Sequence, residues 1–161
     1  MTYFSLEFLT KAISAFIASL GFVIILKENK RHILISGICA MCTYIIYYTV
    51  MYFMDSVFAA ALISSAFTAL FSEILARIQK APTLVFIITG VIPTVPGGDL
   101  YRTMRCLILS DFNGALENLL ITLEIGLGIA GGIAAMSMLF SVIMNLIKSQ
   151  MLVKNTKNQH Q

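Results

Sequence analysis

The chain has 161 residues, 58% of them apolar and only 12% charged, a balance that excludes an ordinary soluble domain and specifies an integral membrane protein. Spans of about 20 residues each nearly exhaust that length when five are placed along it, so no extramembrane catalytic module fits beside them. The net charge of +3 then belongs to loops and gives no sign of nucleic-acid binding.

The first apolar run covers residues 4–26. It lacks a basic stretch before it and a small-residue cleavage site before the Lys27-Glu-Asn-Lys-Arg-His32 loop, so it reads as a retained span rather than a cleaved signal peptide. Glu7 and Lys11 stand one helical turn apart, a spacing that lets them neutralise each other near the membrane surface; the functional alternative is a gate. In the second run, residues 33–54, Cys39 and Cys42 have a CxxC spacing. Their neighbours are the apolar and aromatic residues of a span, so helix packing accounts for them, as it does for Cys106. Tyr44, Tyr47 and Tyr48 approach the outer interface, where an aromatic belt explains them better than substrate contact. In the third run, residues 57–76, Ala61, Ser65, Thr68, Ser72 and Ala76 make a small-residue stripe suited to close helix contact, and Glu73 has the spacing to pair with Arg77.

The fourth run, residues 83–110, is interrupted by Pro93, Pro96, Gly97, Gly98, Asp99 and Arg102. Proline lacks the N–H and crowds the preceding turn, and glycine favours irregular backbone, so the run is expected to form two half-helices joined by an unwound elbow. Residues 83–92 supply about 15 Å of helix and residues 99–110 about 18 Å, together enough for a core of roughly 30 Å. The first half is expected to end in unpaired carbonyls and the second to begin with unpaired N–H groups, each end carrying roughly half an elementary charge. A small zwitterion suits that geometry: its carboxylate against the amides of Gly97, Gly98 and Asp99 with help from Arg102, its ammonium toward the carbonyls around Ile92 or the Asp99 carboxylate. The structural alternative has Asp99 capping the second half-helix or pairing with Arg102, with the glycines only permitting close packing.

The fifth run, residues 116–147, carries Glu124 well away from either end, where an uncompensated carboxylate costs several kcal/mol. Glu124, Gly128, Gly131, Gly132 and Ala135 are expected to share one stripe, with Glu124 heading a close helix contact through the GxxxG of Gly128 and Gly132. Glu124 reads either as a coupling or substrate-ammonium group or as one half of an ion pair with Arg102, Arg105 or Lys11. From Lys148 the apolar pattern fades; residues 148–161 read as a cytoplasmic tail, disordered from Lys154.

Lys27, Lys30, Arg31, Arg77, Lys80, Lys148, Lys154 and Lys157 all fall on one side of a five-span layout, while the opposite connections carry only Asp55, Asp111 and Glu117. The positive-inside rule therefore puts the N-terminus outside and the C-terminus in the cytoplasm. A re-entrant hairpin at residues 83–110 would put the Lys-rich tail outside, against that rule. No nucleophile elbow, phosphate-binding loop, zinc spacing or dinucleotide fingerprint is present, and His32 and His160 lack metal-binding or catalytic neighbours. No catalytic residue, metal or cofactor is expected, and the protein is not read as an enzyme.

The segment from Val91 to Met104 resembles the signature of the threonine/serine exporter (ThrE) family, V-I-P-x-x-P-G-x-x-x-Y-x-x-M, through Val91, Ile92, Pro93, Pro96, Gly97, Tyr101 and Met104. The likeness is to the short form that makes the smaller subunit of a split exporter. It implies a secondary transporter of the bacterial inner or plasma membrane that exports small hydrophilic metabolites, with threonine and serine the family's best-known substrates, and a larger membrane partner of related architecture. It also implicates Tyr101 in the site, whereas Asp99 and Arg102 stand at variable positions of the pattern and rest on the physical argument. Similar two-component systems export dicarboxylates such as succinate, a reading that would need two cations such as Arg102 and Arg105. A non-transporting assembly or scaffold subunit is the remaining alternative. An odd number of spans placed after a similar repeat is necessarily inverted, and inverted repeats put the substrate site at their interface. The expected architecture is an all-α membrane domain over residues 1–147, with the fourth of five spans broken.

Overall fold

The computed structural model describes residues 6–25 and 30–159, and the side chains of residues 9–25 and 33–148. The Glu7–Lys11 pair, Lys27 and the surroundings of His32 and His160 lie outside the described residues. The chain is an all-α membrane protein. Its helices are α1 (Leu6–Ile25), α2 (Lys30–Met54), α3 (Val57–Gln79), α4 (Thr83–Val91), α5 (Gly97–Ile108) and α6 (Phe112–Gln159), with a 3-10 turn (Ile92–Thr94) between α4 and α5. Ile33–Met54, Val57–Gln79 and Phe112–Lys148 are long and apolar enough to cross a membrane, α1 is a shorter apolar helix, and α4 and α5 together make a span-length pair bent by 54°.

Local chemistry sets the boundaries. Between α2 and α3, Asp55 takes a left-handed φ of 46° and Ser56 caps α3 by accepting a hydrogen bond from the Ala59 amide at 3.4 Å. At the far end of α3, Lys80 adopts φ 52° and donates its N–H back to the Ala76 carbonyl, and Pro82 prevents continuation. The turn into α6 uses Ser110 at φ 59° and Asp111, whose carboxylate accepts from the Gly114 amide at 3.1 Å. α6 then runs without a break to Gln159, including residues expected from sequence to be disordered; no proline or glycine follows Gly132 to stop it.

The densest packing joins α3 to α6. A Cβ on Gly128 would lie 2.8 Å from both the Ala61 Cβ and the Phe58 carbonyl oxygen, and one on Gly132 would collide with Ser65 Oγ and the Leu62 carbonyl. Ser65 also donates across the contact to the Gly128 carbonyl at 3.4 Å. The two pairings climb together, Gly128 with Ala61 and Gly132 with Ser65, so α3 and α6 run parallel. The bent α4–α5 pair must therefore carry the chain back across the bundle between them.

Hydroxyls tie the remaining helices together. Thr43 and Thr68 Oγ1 atoms are 2.7 Å apart between α2 and α3, and Ser19 Oγ lies 3.3 Å from the Ser36 carbonyl and 3.2 Å from the Thr89 carbonyl. Phe86 of α4 is fully buried against Leu75 and Ala76 of α3, with Ile35 of α2 packed beside them. Interhelical hydrogen bonds of this kind contribute about 0.6 kcal/mol each in an apolar surround, so close van der Waals fit supplies most of the cohesion.

Candidate functional site

The break is built by the prolines. Pro93 sits inside the 3-10 turn, Val95 leaves the helical region at ψ 129°, and Pro96 precedes α5 at φ −78°, ψ 52°. Gly97 and Gly98 have no positive φ, so the irregular backbone expected of them is absent. Instead they form the first turn of α5, where a Cβ at either position would meet nothing within 4 Å. Close packing within this chain does not explain them. What they leave is bare, open backbone.

The two ends at the break differ from each other. The expected unpaired carbonyls of the first half-helix are largely satisfied: Val91 accepts from Thr94 Oγ1 at 2.8 Å, Ile92 from the Val95 amide at 3.2 Å, and Thr89 from Ser19. The tightened 3-10 turn and two hydroxyls do what the sequence left to a ligand. At the start of α5 no side chain caps Pro96; the Gly97 amide donates to the Val95 carbonyl at 2.8 Å and the Leu100 amide to Pro96 at 3.0 Å. Among the described residues, the Gly98 and Asp99 amides have no protein acceptor. The electropositive pole survives, and the electronegative one has been internalised.

Asp99 occupies the first turn of α5 and pairs with Arg102 at 3.3 Å, the Asp99 side chain being 25% and the Arg102 side chain 67% exposed. It is the only ion pair among the described residues. Asp99 also lies within electrostatic reach of half-buried Tyr47 on α2. The elbow packs on α1 and α2, which is what brings Tyr47 to it. Sequence reasoning assigned Tyr47 to an aromatic belt; its place on α2 seven residues before Met54 could not tell which way the ring points. Tyr101 and Arg105 are exposed on α5, and Thr103 is buried, donating to the Asp99 carbonyl at 2.9 Å.

Glu124 does not head the α3 contact. Ala115, Ile125, Gly128 and Gly132 are the buried positions of α6 among the described residues, while Glu124 is exposed and has no ion-pair or hydrogen-bond partner among them. A helix turns about 100° per residue, so the residue beside Ile125 points well away from the face that Ile125 buries. Depth still connects Glu124 to the break. α5 and α6 pack as a hairpin about the turn at Ser110 and Asp111. Counted from that turn, Gly97 and Glu124 each lie about 20 Å along their helices.

Two further residues differ from expectation. Arg77 does not pair with Glu73; its guanidinium lies 4.8 Å from the centroid of Phe140 on α6. Gly90, not singled out by sequence, is buried where a Cβ would lie 2.5 Å from Thr68 Cγ2 and 3.0 Å from Cys39 Sγ. A lone small residue shortly before the prolines was its only sequence signal.

Comparison with known proteins returned one informative match: a family model described as threonine/serine exporter, ThrE, fits residues 11–139. That span takes in Tyr47, the whole break, Glu124, Gly128 and Gly132. Neither a search of curated proteins nor one of solved structures gave a match.

Proposed function

The chain belongs to the threonine/serine exporter family, and from that premise we propose that it is one subunit of a two-component secondary transporter that exports threonine, serine or similarly small zwitterions by alternating access. It is a multi-pass membrane protein of the transporter class, and its proposed orientation is N-terminus outside and C-terminus in the cytoplasm. The observation that carries the site is the first turn of α5, where two open amides and the Asp99–Arg102 pair adjoin space that this chain leaves unfilled, with Tyr47 of α2 within electrostatic reach of Asp99.

A substrate carboxylate is proposed to accept from the Gly98 and Asp99 amides, where the helix dipole adds to their attraction. Arg102 supplies the cation and Asp99 holds the substrate ammonium, each exchanging its partner in the ion pair for one end of the zwitterion. That exchange keeps charges paired before and after binding, which limits the desolvation cost of closing the site. Pro93 and Pro96 shape the elbow, Gly97 and Gly98 keep the first turn of α5 bare, and Tyr101 lines its exposed flank. Because the carbonyls at the end of α4 are largely satisfied within the chain, Asp99 is the proposed anionic contact at the break.

The second subunit is proposed to be a larger membrane protein of related architecture that covers α5 and the Glu124 face of α6. Glu124 supports this reading: an exposed carboxylate level with the break, without an ion-pair partner among the described residues, is available to a second subunit.

The test is efflux of radiolabelled threonine and serine from preloaded cells carrying this chain and its partner, compared with cells lacking the chain. Faster efflux of both amino acids with the chain supports the assignment. Succinate efflux without amino-acid efflux would overturn the proposed substrate, and association without any flux would reduce the chain to a scaffold.

A further inference from the structure

Away from the elbow, the last turn of α3 and residues 144–148 of α6 enclose a groove of about 380 Å³ lined by Arg77, Met144, Asn145, Ile147 and Lys148. Along α6 it lies about 30 Å beyond Glu124, so it is not part of the proposed substrate site. Neither cation is within ion-pair distance of a carboxylate among the described residues. The Phe140 ring, 4.8 Å from the Arg77 guanidinium, holds that side chain toward α6 without neutralising it.

The groove stands at a specific depth. Arg77 and Lys80 close the apolar run of α3, and Lys148 is the first charged residue of α6 after Glu124, which sets the groove at the end of both apolar runs, at head-group level. Ile78, Leu146 and Ile147 are exposed around it and offer apolar surface on the membrane side. Two unpaired cations and an amide at head-group level, floored by Met144 and flanked by aliphatic side chains, match an amphiphile with a phosphate at its polar end. The volume exceeds what a bare phosphate needs and leaves room for the glycerol that follows. A head group carrying its own ammonium would set a third cation among the two already present.

We propose that this groove binds the phosphate of an anionic phospholipid, with Arg77 and Lys148 on the phosphate oxygens, Asn145 donating to the head group and Met144 and Ile147 against the start of the acyl chains. The site is independent of the transport assignment and stands on the membrane reading alone. Its role is to anchor the cytoplasm-proximal ends of α3 and α6, the parallel pair at the centre of the bundle.

The full-length chain, extracted in lipid-preserving polymer discs with whatever accompanies it, is analysed for co-purified lipid, and the same protein is then placed in nanodiscs of phosphatidylcholine with or without phosphatidylglycerol. Enrichment of phosphatidylglycerol over the bulk membrane, lost by stages in Lys148→Gln and Arg77→Gln, is the expected result. Each cation removed should lower the selectivity about fivefold. Phe140→Leu, which keeps both charges, should weaken selectivity less than Arg77→Gln. Should Arg77→Gln not fold, Lys148→Gln alone decides, because Lys148 is exposed and packs on nothing that the bundle requires. Unchanged selectivity in a well-folded Lys148→Gln variant overturns the proposal. So does inorganic phosphate, at millimolar concentration in the nanodisc arm, displacing all of the phosphatidylglycerol preference, since the groove would then be a site for a soluble phosphate.

Discussion

Replacing Gly97 with leucine separates the packing of this chain from whatever occupies the open side of the break. Within the chain, a Cβ at Gly97 meets nothing within 4 Å, and the glycine has no positive φ to forfeit. Folding therefore loses no contact, and Gly97→Ala should even gain from helix propensity, by up to about 1 kcal/mol. The comparison is Gly132→Val, whose side chain runs into Ser65 Oγ and the Leu62 carbonyl and should cost about 1–3 kcal/mol by overpacking. Membrane level, detergent-stable monodispersity and thermal midpoint should be preserved in Gly97→Leu and reduced in Gly132→Val. Threonine efflux, measured on cells matched for membrane level, should fall to background in Gly97→Leu. Co-purification of the partner then shows whether substrate or subunit was displaced. Wild-type efflux from a fully inserted Gly97→Leu protein would refute the claim that the space beside α5 is used.

Asp99→Asn and Arg102→Gln should each abolish efflux with little effect on insertion, because a pair with one side chain 67% exposed contributes at most about 1 kcal/mol to stability; efflux retained in both would remove the pair from the site. Tyr47→Phe should keep the fold and raise the substrate concentration for half-maximal efflux several-fold, consistent with one lost hydrogen bond of about 1 kcal/mol, and an unchanged concentration dependence returns Tyr47 to a purely interfacial role. Glu124→Gln should reduce partner co-purification or flux while leaving the thermal midpoint of the isolated chain in place, since the side chain is exposed and has no ion-pair or hydrogen-bond partner among the described residues; a large loss of midpoint would show an internal role instead. Substituting Pro93 and Pro96 together by alanine should let α4 continue into α5 and reduce the 54° bend, read from distances between spin labels placed at its ends, with export lost. A bend unchanged by that double substitution would show that tertiary contacts, not the prolines, set it.

The apolar runs and the proline break could be read from sequence because each rests on a strong local cost: burying free backbone in lipid and forcing proline into a helix. The stripe of Ala61 and Ser65 and the Gly128–Gly132 pair could be read too, since small residues at four-residue spacing have few other uses in a span. What sequence did not reveal was orientation around a helix axis. Glu124 follows the glycines by spacing but stands one residue from the buried Ile125, and that single step removes it from the interface. Tyr47 was invisible as a neighbour of Asp99 because the two are joined only through packing of the elbow on α2. The carbonyls at the end of α4 looked bare because their partners, Ser19 from a distant helix and Thr94 folding back in a 3-10 turn, depend on tertiary and local geometry that composition does not encode.

That α5 packs chiefly on α6 and leaves its first turn open has a physiological side. In the proposed two-component exporter, a lone copy of this chain offers a fragment of the binding surface and no enclosed route past it. Overproduction of one subunit would then leave the cell sealed to its own amino acids, and permeation would begin only where the two gene products meet. Balanced synthesis of the pair would set how much is exported, and an excess of either would be inert.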